Sequence, residues 1–564
     1  MYKKWWIKYA WHLLAIGLLL VALAGLFVDV MDVDASQYAS ISMEMWQDGS
    51  WLQVMHRHAD YLDKPPLLFW SSAASYAVFG LSNWAYKLPS LLAALLGVFA
   101  VYQFTRLYYA QATARRAAFI LASAVGLLVI CNDVRTDTLL LGTSAAAVWQ
   151  LATYLQNRRW IHLVGAFVFI GLAMLAKGPI GLVMPALAAG THVALRRDWR
   201  DIFRWQWLPG LLLTALVLAP MCWGLYQQFD LHPEKTVNER NGVSGLYFYF
   251  WEQSFGRITG ENVWKNDTGP LYFTHVYAWA FLPWPLLLLL ALWQSLKGLW
   301  QKRFRLGTAE EGFAIGGFLL TFVALSLSKY KLPHYIFVTL PWAAVLTARY
   351  LDHIVGLADP APRKWAAGAL RLTIGLMCAL AALLLFWVFK PQNVLIPVLF
   401  LAGLAVFYLL RGDSPEHWVQ QGVWASVLAL FILNVHFYPQ LLPWQSTSAA
   451  AHYLKDQRVP PEKVTWYLRH GHAFDFYTRA ITHKHENIEE MVEYAGNHPE
   501  FYVYTNEEGM GLMQEYGLNF KVEKKFDHYQ AALLRPQFLN PATRISSTEP
   551  RLLLKVEGLK RVAF

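Results

Sequence analysis

The residues of this sequence best suited to chemistry are carboxylates and cations placed just beside apolar runs. Asp34 follows the first such run, in DVMDVDASQYASISMEMWQDG. A carboxylate there can orient a hydroxyl or accept its proton, or cap a helix beginning near Ala35. Asp29 and Asp32 are equally acidic neighbours. In YLDKPPLLFW, two prolines restrict the backbone after Asp63 and Lys64. That restriction suits a lysine held against an anionic group as a point charge, although a snorkelling lysine reads the same way. NDVRTDTLL sets Asp133, Arg135 and Asp137 in one short turn, where acid and base can pair or Asp137 can cap the following helix. Lys177 stands in LAKGPIG, and Lys329 and Lys331 flank Tyr330 in SLSKYKLPHYI. Arg240, Glu252, Arg257 and Lys265 add charge in a later polar stretch.

Elements that would position these groups follow from the hydropathy. The chain of 564 residues is 56% hydrophobic and only 15% charged, with a mean hydropathy of +0.29. That composition belongs to a polytopic membrane protein. Apolar runs at 9–27, 88–108, 117–131, 138–155, 160–176, 180–195, 208–226, 272–293, 313–327, 333–348, 369–389, 394–410 and 419–437 predict about thirteen helical spans. The run at 67–81 is short and carries Ser71, Ser72 and Ser75, which favours a helix lying at the interface.

The net charge of +10 is distributed as short clusters between apolar runs, among them Arg115–Arg116, Arg158–Arg159 and Arg196–Arg197. Such clusters are topology signals, and they exclude a nucleic-acid-binding face. They place the N-terminus in the cytoplasm, with the long loops at 29–87 and 227–271 on the opposite side. Asp34, Asp133, Asp137, Lys177, Lys329 and Lys331 then gather at the outer interface. Lysines there run against the positive-inside bias and point to an anionic ligand. Cys131, Cys222 and Cys378 form no motif, and no glycine-rich phosphate loop or HExxH is present. The stretch at 251–260 has the pattern of an amphipathic surface helix. From about Pro439 the texture is that of a small soluble α/β domain, so the expected division is 1–438 and 439–564.

An outer site has no access to ATP or nucleotide sugars, so energy for any group transfer must arrive in an activated lipid. The succession MDVDASQYASISMEM, YLDKPPLLFW, RTDTLL, LAKGPIG, YFYFWEQSFGRI and LSKYKLPHYIFVTLPW resembles bacterial membrane glycosyltransferases of the protein O-mannosyltransferase superfamily. It is most similar to their aminoarabinose (lipid A) transferase branch. That resemblance implies a GT-C fold and a bacterial inner-membrane protein with a periplasmic cavity and C-terminal domain. The implied reaction is inverting transfer of a sugar from a polyprenyl (undecaprenyl) phosphate carrier to a lipid A, glycan or protein acceptor.

By the same resemblance Asp34 is the essential first-loop carboxylate and Asp137 an acid at the catalytic cavity. Lys64, Arg257, Lys329 and Lys331 face the donor phosphate. Asp63, Asp133, Lys177 and Glu252 line the cavity or acceptor side. The sequence departs from the family pattern at Asp63, where a glutamate is usual, and at Glu252-Gln253, where Glu-His is typical. The missing histidine leaves a divalent metal open and no cofactor assigned. Membrane lipid is an expected partner, nucleic acid is not, and a monomer is expected. A transporter or flippase for a lipid-linked sugar is the alternative. It would show inverted repeats and mid-span charges, which the sequence lacks.

Overall fold

The structure, a computed structural model, describes residues 2–237, 239–253, 256, 266 and 268–559, with residues 2–8 as backbone alone. Helices fill the first four-fifths of the chain, and a five-stranded sheet with flanking helices forms its C-terminal domain. Among the described residues, six helices are long and apolar enough to cross a bilayer: Tyr9–Phe27, Asn83–Tyr108, Trp160–Lys177, Trp207–Asp230, Ala361–Val388 and Pro415–Trp444.

The count expected from hydropathy is about twice that, because several apolar runs are not single helices. Run 117–131 splits into α5 (Gln111–Ala122) and α6 (Val125–Asn132), bent by 46°. The break falls where Ala124 turns to extended backbone. Run 272–293 is cut at Pro283 and Pro285 into Tyr272–Ala280 and Pro285–Gln301. Proline lacks the N–H that a continuing helix needs. Run 333–348 opens as a 3-10 turn, Pro333–Thr339, before the helix Leu340–Val355. The segment at 67–81 is a helix, α3 (Leu67–Phe79), of 13 residues. At about 1.5 Å per residue it reaches about 20 Å, short of the hydrocarbon thickness.

Among the described residues, α7 (Thr136–Asn157) is buried over nearly all of its length and lies within the bundle rather than against lipid. It packs against α4 (Asn83–Tyr108) so closely that a Cβ on Gly142 would meet the Ala93 carbonyl oxygen at 2.1 Å. Small residues at such crossings let backbones approach where apolar burial gives little drive. Lys87, near the start of α4, is fully buried. Its ammonium donates to the carbonyls of Gly25 at 3.1 Å and Val28 at 2.6 Å. It thereby satisfies the C-terminal carbonyls of α1 (Tyr2–Phe27).

The C-terminal sheet runs in the order His483–His485, Val464–Tyr467, Phe501–Thr505, Glu549–Leu559, Leu518–His528. The first three strands are parallel and the last two join antiparallel. Helices Ile488–Asn497 and Glu507–Glu515 cover one face, each started by an asparagine that accepts a backbone N–H three residues on. Helices Ser446–Asp456 and His472–Thr478 cover the other, around Ala450, Leu454, Trp466, Phe474 and Leu553.

Candidate functional site

Three aspartates within six residues have separate partners. Asp29 accepts from Asn83 at 3.0 Å, Tyr477 at 3.1 Å and His452 at 3.1 Å. Asp32 is buried and accepts from the Thr447 hydroxyl at 2.7 Å, the Ala473 N–H at 3.2 Å and Ser36. Both therefore bind the C-terminal domain. Asp34 turns the other way and pairs with Arg135, which also holds Asp133 at 3.0 Å. Asp34 is the first residue of α2 (Asp34–Asp48), and Val33 occupies the cap position without a side-chain bond. The carboxylate is thus not committed to capping, and with 39% of its side chain exposed it remains reachable.

Tyr38 lies one turn further along α2, on the face of Asp34. Burial lifts its phenol well above the usual range, and the charges of Tyr61, Asp34 and Asp63 add to that lift. One hydroxyl thus senses both Asp34 and the Asp63-Lys64 element, which the sequence separates by about thirty residues. Lys64 bonds its neighbour Asp63 at 2.6 Å. The side-chain amide of Gln253 donates to the Asp63 carbonyl, tying the first polar loop to the second.

Asp137 is almost wholly buried in the first turn of α7 and pairs with Lys177, the last residue of α8 (Trp160–Lys177). The Lys177 ammonium also sits 3.8 Å from the centre of the Tyr335 ring, and His334 approaches Asp137 to 3.7 Å. Arg135, not Asp137, occupies the cap position of α7. Lys331 is buried and donates to the Thr268 carbonyl at 2.9 Å. The side chain of Asn266 brackets the backbone of Lys331 from both sides. Glu252 pairs with Arg240 at 2.8 Å. The Lys329 backbone meets the same Asn266 segment. Arg257, Lys265 and most of the surface helix expected at 251–260 lie outside the described residues.

Lys64 and Lys177 converge on one cavity of about 120 Å³. Its walls are Leu140 of α7, Ile180, Val183, Met184 and Leu187 of α9 (Ile180–Arg196), and Thr321, Ala324 and Leu325 of the helix Phe313–Ser326. Gln253, Ser328 and Tyr335 complete it beside the lysines. The cavity is thus an apolar trough with cations at one end. A smaller recess lined by Tyr61, Lys64, Pro65, Gln228 and Gln253 adjoins it.

The Glu-His pair that a metal would need is absent. Gln253 spends its amide on Asp63, Glu252 holds Arg240, and His275 packs against Tyr272. These residues do not fit a metal at the cavity, and no step is routed through one. Sequence reasoning passed over Tyr38, Arg135 as the partner of Asp34, and His334. The i, i+4 spacing of Asp34 and Tyr38 was the available signal for the first.

Residues 63–223 match the family model described as dolichyl-phosphate-mannose-protein mannosyltransferase. The chain is 27% identical over 471 residues to the undecaprenyl phosphate-alpha-4-amino-4-deoxy-L-arabinose arabinosyl transferase of Pseudomonas paraeruginosa, covering 79% of this chain and 81% of the relative. A protein of the same name from Yersinia enterocolitica is 26% identical over 430 residues, covering 73% and 72%. ArnT from Cupriavidus metallidurans, solved bound to undecaprenyl phosphate, superposes with a TM-score of 0.72 at 18% identity over 96% of this chain and 97% of that one. Its apo form gives 0.72 at 19% identity over 98% of each. The family resemblance carried by the motif order is borne out, and the fold is that of ArnT.

Proposed function

We infer that this chain, a GT-C membrane glycosyltransferase on the aminoarabinose-transferase side of the protein O-mannosyltransferase superfamily, moves a sugar from an undecaprenyl-phosphate carrier onto a lipid A-type acceptor. The observation that carries this reading is the apolar trough headed by Lys64 and Lys177. A polyprenyl phosphate has that polarity: a branched hydrocarbon tail and a single anionic head. The names of the relatives supply the carrier and the class of sugar.

In this reading the prenyl tail lies against α9 and the helix Phe313–Ser326, and the phosphate meets Lys64. An acceptor oxygen at Asp34 attacks C1 of the sugar from the face opposite the phosphate. The C1–oxygen bond to phosphate breaks, the new glycosidic bond forms, and the anomeric centre inverts. The electron pair leaves on the lipid phosphate, where Lys64 stabilises the charge. Asp34 takes the proton of a hydroxyl acceptor, or orients a phosphate acceptor that carries none. Arg135 fixes the Asp34 carboxylate, and Asp133 restrains Arg135 from behind. Asp137 acts through Lys177 rather than on the sugar. Lys329 and Lys331 border the phosphate end, the family resemblance adds Arg257 to the same role, and Asp63 and Glu252 shape the acceptor side. The N-terminus is cytoplasmic, residues 1–438 form the membrane catalytic domain, and residues 439–564 form a domain in the periplasm. The protein works as a monomer.

The test is mass spectrometry of envelope lipids from cells carrying the parent protein or Asp34→Asn, together with transfer from synthetic undecaprenyl-phosphate sugar in proteoliposomes. The parent adds one glycosyl mass to lipid A. Asp34→Asn reduces transfer by at least about 100-fold, the scale of lost acid–base catalysis, while inserting normally. Unchanged lipid masses, with flipping of the donor equal in parent and variant, would instead favour a flippase.

A further inference from the structure

The open edge of the C-terminal sheet carries a second cluster, none of whose residues lines the trough. His483 and His485 alternate on the short edge strand, so both side chains leave the same face. The helix Ile488–Asn497 begins three residues later, and its first turn brings Glu490 back over that face. The Glu490 carboxylate is aimed from both ends. One oxygen lies 3.1 Å from His483 Nε2, and the other accepts the Glu486 N–H at 2.8 Å.

One ligating atom each from His483, His485 and Glu490 lies within 4.8 Å of the others. Tyr494, one turn further along the helix, stacks on His483 with ring centres 5.1 Å apart and meets His485 edge-on at 5.0 Å. Those contacts fix both imidazole planes. His485 is 1% exposed, and neither ring nitrogen has a hydrogen-bond partner. A buried imidazole without a partner leaves a polar group desolvated and uncompensated.

We propose that His483, His485 and Glu490 bind a divalent metal ion of the zinc class, with water as the remaining ligand. Two imidazoles and a carboxylate are a donor set that suits zinc, and imidazole also suits copper and nickel. Ligands about 2.0–2.1 Å from a tetrahedral zinc stand roughly 3.3 Å apart, so the cluster needs only small rotamer adjustments to close. The half-exposed His483 leaves one side open to water.

A second grouping, Glu44, Asp48 and His58, has comparable spacing. Both Glu44 oxygens there already accept the N–H groups of Arg57 and His58, at 2.7 and 2.6 Å. Its carboxylate is committed to holding a turn and carries no such site.

The experiment uses the full chain in detergent, purified without a histidine tag and stripped with chelator. Zinc chloride is titrated by calorimetry, and bound zinc is counted by mass spectrometry after gel filtration. Cobalt(II) is added separately to read tetrahedral coordination in the visible spectrum. The parent binds one zinc and shows the cobalt bands. His483→Gln and Glu490→Gln, both at the solvent-facing side, elute as the parent does and bind at least tenfold more weakly, without the bands. His485→Asn gives the same loss and adds the buried ligand to the test. Absence of zinc binding by the parent would overturn the assignment, as would undiminished binding in His483→Gln. A loss that follows His58→Asn instead would overturn it as well.

Discussion

Replacing Lys177 by methionine tests whether Asp137 acts on substrate or holds the cavity wall. The Asp137 side chain is 1% exposed, whereas Lys177 is 13% exposed and rests on the Tyr335 ring. Lys177→Met leaves a buried carboxylate with His334, at 3.7 Å, as a remaining basic neighbour among the described residues. Breaking a buried pair from one side costs about 3–5 kcal/mol. Asp137→Asn leaves instead an ammonium that keeps its ring contact and some access to water, and we expect a cost of about 1–3 kcal/mol. The double variant, neutral at both positions, should regain much of the Lys177→Met loss. With single costs of about 4 and about 2 kcal/mol and a double of about 2, the coupling is about 4 kcal/mol, above the about 0.5–3 kcal/mol usual for contacting residues because the pair is buried. Thermal unfolding of the detergent-solubilised protein at fixed scan rate is the assay, since membrane proteins of this size rarely unfold reversibly. Lys177→Met should lower the apparent Tm by several degrees, more than Asp137→Asn, and the double variant should lie between Lys177→Met and the parent. Parental stability in Lys177→Met, or additivity in the double variant, would refute the argument.

Lys64→Ala should raise the apparent KM for the polyprenyl donor and also lower kcat, because the leaving phosphate loses its cation; a change in KM alone would place Lys64 in ground-state binding only. Asp32→Ala should loosen the C-terminal domain and lower transfer without altering donor affinity, measured by hydrogen exchange across residues 445–480 and by donor binding; unchanged protection there would rule out an anchoring role. Burial first, then His472, pushes His56 down to about 3, and burial first, then His470, pushes His472 down to about 4, where the first loop meets the C-terminal domain. An unfolded imidazole takes up its proton near pH 6.5, so the folded state binds fewer protons below that value. The docking contribution is therefore complete above about pH 6.5 and declines as pH falls toward 4. Protection at residues 55–60 and 464–482 should fall between pH 6.5 and 4.5, and a flat profile would exclude these histidines.

How much of this was legible in the sequence depended on the range of each interaction. Helical membrane class and a separate C-terminal domain follow from local composition, and the structure has both. Span number did not follow, because a hydropathy window cannot see Ala124 leaving the helix or Pro283 and Pro285 interrupting a run that stays apolar throughout. The site divided in the same way. That Asp63 and Lys64 are neighbours was visible at once, whereas the pairing of Asp34 with Arg135 spans 101 positions. Nor could residue type and spacing alone distinguish Asp29, Asp32 and Asp34, three like residues whose difference lies in what they face; only the family resemblance singled out Asp34. Asp137 read as a helix cap from its place at the start of α7. Only the end of α8, folded back beside it, shows that its partner is Lys177.

The two anchoring aspartates also impose an order on synthesis. Thr447 lies 415 residues beyond Asp32, Ala473 441 beyond it, and Tyr477 448 beyond Asp29. A ribosome therefore releases the reactive helix long before the groups that fasten it exist. A shortened product that ends between residues 65 and 446 would carry Asp34 and Lys64 intact, yet lack Thr447, Ala473 and Tyr477, the groups that fasten the neighbouring aspartates. The alignment of the first loop is therefore completed only with the last part of the polypeptide.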